Sequence, residues 1–290
     1  METILITGAT GLLGSSLVPY LKDSGHNILT HGFSCKADFM FDLADNIKTL
    51  QMLEEVKPTL IINLVSMTSV EMCEEKVNLA YLANTHTVEN LTQWLKTSKT
   101  QCHLIHISTD HVYDGDGIHL NTEDNVKITN SYAFSKYAGE LALSGLPCTI
   151  LRTNFVGRSL LKNRESLTDW VFKSSKNGAH VNVLNDVYFS PLSLLVLCEM
   201  LALVIQKKPL GIYNLGSHNG MSKADFDFAF AESLNFSTNN MKRIGIGEAT
   251  FFKAYRPRDM RMDVSKFENA LNVKLPDLAD IIKQVANDYE

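Results

Sequence analysis

The chain has 290 residues, 45% of them hydrophobic and 20% charged, with a formal net charge of −5. This is the composition of a globular protein with a sizeable core, and its acidic balance, with no basic block against it, argues against nucleic acid or an anionic membrane as partner. The five cysteines (Cys35, Cys73, Cys102, Cys148, Cys198) show no C-x-x-C spacing and read as free thiols of a reducing compartment.

In chain order, the first predicted strand is "TILIT" (3–7). Directly after it, "GATGLLG" places Gly8, Gly11 and Gly14 in a G-x-x-G-x-x-G turn that opens a helical pattern over 11–25, with Pro19 inside it as a candidate kink. Gly8 permits a tight exit from the strand, and Gly11 lets backbone approach a pyrophosphate. Gly14 lets the helix sit close to the sheet, so an anion faces the helix N-terminus. No Gly-Lys-Ser/Thr follows, which excludes a phosphate loop of the Walker type.

The second predicted strand is "NILTH" (27–31). An acid at its end would bind a ribose 2′-hydroxyl and favour NAD. Residues 30–36 carry none, while Ser34 and Lys36 are in reach of a 2′-phosphate, so NADP(H) is preferred over NAD(H). In "FDLAD", Asp42 is expected to accept from an adenine amino group and Leu43 to pack on the ring.

Further strands are predicted at 59–65, 103–108 and 148–153, with helices at 46–58, 74–98 and 131–145 between them. The strands are continuous apolar runs rather than alternating ones, as parallel strands covered on both faces require. Strand–helix alternation of this kind gives an α/β fold, a Rossmann-type doubly wound parallel sheet. The reading assigns residues 1–155 to a dinucleotide-binding domain, with segments around 184–216 returning to it. Residues 156–290 become mainly a smaller substrate-binding lobe, with 163–183 and 217–265 most of it. In that half, "AHVNVL" and "GIYNLG" read as short strands and "NFSTNNMKR" as a polar loop.

The stretch 190–208 is the most apolar, but Glu199 interrupts it and its apolar runs are too short to cross a bilayer, so it reads as a core helix. No basic segment precedes "ILITG", which argues against a secretory signal and for the cytoplasm. His103, His106 and His111 straddle a strand and its exit loop, a spacing that does not converge on a metal.

Reactive groups follow the fourth predicted strand, where ligands sit in such sheets. "HISTDHVYDG" sets Ser108 and Thr109 beside the expected nicotinamide, and "NSYAFSKYAGE" places Tyr132 and Lys136 one helical turn apart. Hydride addition to a ketone leaves charge on its oxygen, so a proton donor must reach it. Tyr132 can supply that proton, Lys136 can favour its phenolate and hold the nicotinamide ribose, and Thr109 can bond the developing oxyanion.

The ordered set "GATGLLG", "FDLAD", "INLVSMTSVEMCE", "ISTDHVYDG", "NSYAFSKYAGE", "LRTNFVG", "VLNDVYFSPLS", "GIYNLGSHNGMSKADF" and "RPRDMRMD" covers nearly the whole chain. It resembles the extended short-chain dehydrogenase/reductases, and among them the dTDP-4-dehydrorhamnose reductase family. The resemblance implies NADPH-dependent reduction of the 4-keto group of a nucleotide-linked 6-deoxysugar, with Thr109, Tyr132 and Lys136 in the catalytic places. Cofactor contacts implied by it are Thr10, Leu12 and Leu13 in the turn, Leu64, Val65 and Ser66, and Thr153 to Phe155. Homodimers are common among proteins of this kind. "STDH" lacks the Asp-Glu pair of the related dehydratases, since His111 follows Asp110.

Met67 stands where the family has an aromatic residue or His beside the substrate, and Tyr188, Ser190 and Arg258 are substrate-side candidates. These departures leave open another sugar-nucleotide reductase or epimerase, or a catalytically weak NADP-binding regulatory subunit.

Overall fold

The computed structural model describes residues 1–290. The first half runs β1 (Thr3–Thr7), α1 (Leu12–Leu21), β2 (Asn27–Gly32), β3 (Phe39–Met40), α2 (Asn46–Val56), β4 (Leu60–Asn63), α3 (Val70–Glu75), α4 (Val77–Tyr81), a π-turn (Leu82–His86), α5 (Thr87–Thr97), β5 (His103–Thr109), α6 (Ser131–Ala142) and β6 (Cys148–Thr153). It continues with β7 (Phe155–Val156), α7 (Leu167–Lys176), β8 (Val181–Leu184), β9 (Tyr188–Phe189), β10 (Leu192–Ser193), α8 (Leu194–Lys207), β11 (Gly211–Leu215), β12 (Met221–Ser222), α9 (Lys223–Ser233), β13 (Met241–Ile244), α10 (Ser265–Leu271) and α11 (Leu278–Asn287).

Seven strands form one sheet in the order β11-β6-β5-β4-β1-β2-β3. β1 pairs in parallel with β2 and β4, and β4 with β5, so the order reverses beside β1. This is the doubly wound arrangement the alternation of elements led us to expect. Ligands in such sheets lie beyond the strand ends at that reversal. One face of the sheet (Leu5, Ile61, Leu104, Ile150) packs against Met52 and Leu53 of α2 and Val88, Leu91 and Trp94 of α5. Each such side chain contributes about 1.5–3 kcal/mol by leaving water.

The single helix expected at 74–98 is divided. Ser69 caps α3 through its side chain, and the stretch from α4 to α5 contains the π-turn. Pro19 lies on the exposed face of α1, which runs on through it. No helix is long and apolar enough to cross a membrane.

The chain divides into two compact units. Unit 1 comprises Met1–Thr109, Asn130–Arg152 and Cys198–Ile212, and unit 2 comprises Asp110–Thr129, Thr153–Leu197 and Tyr213–Glu290. The excursion 110–129 therefore belongs to unit 2, not to a first domain ending at 155. Its bonds say why: the Asn121 N–H donates to the Arg261 carbonyl at 2.9 Å, and the Tyr113 hydroxyl donates to Asn214 at 2.6 Å. Within unit 2, β8 pairs in parallel with β13, so "MKR" of the expected polar loop is a strand. Phe226 and Phe230 of α9 are core residues, and Arg243 covers Phe228.

Candidate active site

The turn after β1 is built by close approach. Gly8 has φ +71°, and a Cβ there would lie 2.8 Å from the Val65 nitrogen. On Gly14 a Cβ would lie 2.4 Å from the Ala9 carbonyl oxygen, so α1 rests directly on the turn. Gly11 caps α1 without a side chain, and no acid sits in the helix's first turn. The positive end of the helix dipole therefore meets a turn held tight by glycines, which fits a pyrophosphate. Thr10 packs on Gly32 at the end of β2. Leu12 is half-buried, whereas Leu13 is a core residue whose side chain faces inward.

Beyond β2, Ser34 and Lys36 are both exposed. An acid does lie nearby: Asp38 accepts from the Thr30 N–H at 2.8 Å and the Thr30 hydroxyl at 2.7 Å. Asp42 accepts from the Ala44 N–H at 3.0 Å. Leu43 departs from expectation. It is 2% exposed and packed among Met52, Leu53 and Leu91, because the chain turns inward to start α2, so its side chain is core rather than a cover for adenine.

Three strands share a buried polar ladder. The Thr7 hydroxyl donates to Asn63 Oδ1 at 2.7 Å, and Asn63 Nδ2 meets His106 Nδ1 at 3.0 Å. Oδ1 also accepts from the Val65 N–H at 3.3 Å, so the amide donates to His106 and the neutral imidazole carries its proton on Nε2. Burial holds His106 well below its ordinary pKa. His103 Nε2 bonds the Thr149 hydroxyl at 2.8 Å, and His111 lies in unit 2.

Leu64, Val65, Ser66 and Met67 form a half-buried strip after β4. One residue that sequence reasoning missed organises it. Asn84, fully buried in the π-turn, accepts from the Met67 N–H at 2.7 Å and the Ser66 hydroxyl at 3.0 Å. Its amide donates to the Met67 carbonyl at 3.1 Å and to Ser135 Oγ of α6 at 2.9 Å. A Cβ on Gly139 would lie 2.6 Å from the Asn84 carbonyl, so α6 approaches the π-turn at that glycine. π-turns inside helices recur at functional sites, and only the cluster of small polar residues around 84–87 hints at one here.

α6 is capped by Asn130, which accepts from the Ala133 N–H at 2.8 Å. It brings Tyr132 and Lys136 to one buried face. The Tyr132 ring packs with Met67, Val70, Cys73 and Ala80. Lys136 is 2% exposed and donates to the Ile107 carbonyl of β5 at 2.7 Å, two residues before Thr109. Burial pushes its pKa down to about 8, against the raising pull of Glu140. Ser108 departs from expectation: its hydroxyl is buried and donates to Glu140, which Arg152 grips through Nε at 3.1 Å to each oxygen and through Nη2 at 2.6 Å.

Unit 2 holds the other candidates. Thr153 is buried at the end of β6, and Phe155 is half-buried. Tyr188 lies under the Arg261 guanidinium at 5.0 Å, and the Arg258 side chain is exposed. Ser190 departs from expectation. It is 1% exposed, accepts from the Met262 N–H at 3.2 Å, and is pressed against Gly216, so it closes backbone rather than meeting a ligand.

With this geometry in place, comparison with known proteins decides the family. The family model described as the RmlD substrate binding domain matches residues 1–290. The chain belongs to that family. dTDP-4-dehydrorhamnose reductase of Shigella flexneri is 26% identical over 98% of this chain and 97% of its own. Methionine adenosyltransferase 2 subunit beta of Xenopus tropicalis is 25% identical over 91% and 81%. The crystal structure of dTDP-4-dehydrorhamnose reductase from Bacillus anthracis in complex with NADP superposes with a TM-score of 0.87 at 24% identity, covering 98% of both chains. The extended short-chain dehydrogenase/reductase reading holds, and the family is one of dTDP-4-dehydrorhamnose reductase-like, NAD(P)-dependent oxidoreductases.

Proposed function

We propose that this chain reduces the 4-keto group of a nucleotide-linked 6-deoxysugar with NADPH, Tyr132 being the proton donor. The observation that carries the reading is the anchoring of Lys136 on Ile107 of β5, which fixes α6, and Tyr132 with it, against the strand that ends in Thr109. The glycine turn at Gly8, Gly11 and Gly14 and the N-terminus of α1 would hold the cofactor pyrophosphate, with Lys36 and Ser34 toward a 2′-phosphate. Asp42, Leu64, Val65 and Ser66 would line it further on. When bound, the reduced nicotinamide supplies the hydride.

The residues of the chain do the rest. The Tyr132 hydroxyl gives its proton to the ketone oxygen as charge develops there, and the Thr109 hydroxyl bonds that oxygen. The Lys136 ammonium stabilises the phenolate left behind, while its two remaining N–H groups can hold ribose hydroxyls. Met67, beside the Tyr132 ring, would meet the sugar. The same reading places the protein in the cytoplasm. It is also compatible with a homodimer.

A second reading, a cofactor-binding subunit without turnover, is favoured by the likeness to the methionine adenosyltransferase subunit. Loss of NADPH absorbance with a panel of 4-keto-6-deoxy sugar nucleotides separates the two. Consumption with at least one ketone supports the reductase. Cofactor binding with no consumption on any ketone overturns it.

A further inference from the structure

Behind Lys136 lies a charge arrangement that the Tyr-Lys chemistry does not by itself require. Glu140 sits one helical turn beyond Lys136 on α6, and both are buried to within a few per cent. Its carboxylate accepts from both Nε and Nη2 of Arg152 on β6 and from the Ser108 hydroxyl on β5. A buried carboxylate held by one cation thus lies one helical turn from a second buried cation.

Such a pair is poor evidence of stability, because desolvation of both ions offsets their attraction and an apolar pair of equal volume would serve as well. Its position suggests another use. The groups facing Lys136 are few. From α6 come Glu140 and Tyr132. From β5 come the Ile107 carbonyl and His106, which burial keeps neutral. Asn63 on β4 bonds His106 and is uncharged. Glu140 is the charge that raises the Lys136 pKa against burial. Arg152 holds Glu140 in a bidentate grip.

We propose that Glu140 is a positioning residue that keeps Lys136 cationic for the Tyr132 reaction, and that Arg152 and Ser108, by drawing on the same carboxylate, limit how strongly it does so. The proposal rests on the reductase reading for its kinetic consequence, but not for its effect on Lys136 itself. Glu140→Gln removes the only opposing charge, so Lys136 loses its proton at lower pH. Arg152→Gln frees Glu140 for Lys136, so Lys136 keeps its proton to higher pH. Two halves of one ion pair therefore act on Lys136 with opposite sign, and a kcat limb that follows the midpoint separates this role from a purely structural one.

The test is a pH titration of the full-length chain labelled with 13C at lysine Cε, the Lys136 signal being identified by its loss in Lys136→Arg. The midpoint is expected near 8 in the native chain, lower in Glu140→Gln and higher in Arg152→Gln. Arg152→Lys, which keeps the charge and guards against a folding defect in the Gln variant, is expected to stay close to native. A downward move of about one unit leaves roughly a tenth of Lys136 protonated at pH 8 instead of half, so kcat there falls about fivefold. The alkaline limb of kcat is expected to follow each midpoint. Shifts of the same sign, no shifts, or a kcat limb that stays while the midpoints move overturn the proposal. A native chain that reduces no ketone sinks the reductase reading instead, and the titration still decides whether Glu140 and Arg152 oppose each other at Lys136.

Discussion

Asn84 and Ser135 are joined side chain to side chain at 2.9 Å, so the π-turn is fastened to the middle of the helix that carries Tyr132 and Lys136. Through its other contacts Asn84 also fixes Ser66 and Met67. Asn84→Ala leaves a backbone N–H and a hydroxyl without partners in a buried place, which costs about 2 kcal/mol. Urea unfolding is expected to show that loss, together with a lower kcat and a smaller change in cofactor affinity. Native stability in the variant would refute the clasp.

Gly8 tests the glycine turn. With φ at +71° and backbone 2.8 Å from any Cβ, Gly8→Ala must displace the turn or the Leu64–Val65 strip. NADPH fluorescence titration is expected to show affinity reduced by at least about tenfold, since the pyrophosphate contact requires that approach. An unchanged affinity would move the pyrophosphate elsewhere.

Cofactor choice is put on Lys36, which is exposed at the end of β2, while the nearby acid Asp38 is engaged by Thr30. Lys36→Ala is expected to raise KM for NADPH severalfold and leave that for NADH unchanged. The NADPH effect is expected to shrink at high salt, as an exposed charge contact should. Equal effects on both cofactors would show that Lys36 does not read the 2′-phosphate.

Acid stability follows from buried histidines. Burial lowers the His103 pKa to about 4, from an ordinary value of 6.5. Between those values the unfolded chain takes up a proton that the native chain refuses. Stability is therefore present in full above pH 6.5 and is lost as pH falls toward 4. Melting temperatures at pH 7 and pH 4.5 are expected to differ less in His103→Gln, which can keep a bond to Thr149, than in the native chain. Equal differences would remove His103 from the account.

Most of the sheet was legible because parallel strands buried on both faces announce themselves as apolar runs, as at 3–7, 103–108 and 148–153. β3 was not, since two residues carry no period, and β13 was hidden by Lys242 and Arg243, two polar side chains on its exposed positions. The glycine turn, Tyr132 and Lys136 could be read from local spacing. Asn84 and the Ser108–Glu140–Arg152 group could not, because their partners lie on other elements and no local pattern encodes them. Leu43 and Ser190 misled for the same reason: a position at a strand end says where the backbone is, not which way the side chain turns.

The account turns on the Tyr132 hydroxyl, and single-turnover reduction of dTDP-4-dehydrorhamnose by the NADPH-loaded chain tests it most directly. Tyr132→Phe keeps the ring that packs with Met67 and Cys73, so cofactor affinity is expected to stay native while the rate falls by about 10²–10⁴-fold. A variant that reduces the ketone at the native rate would contradict the assignment.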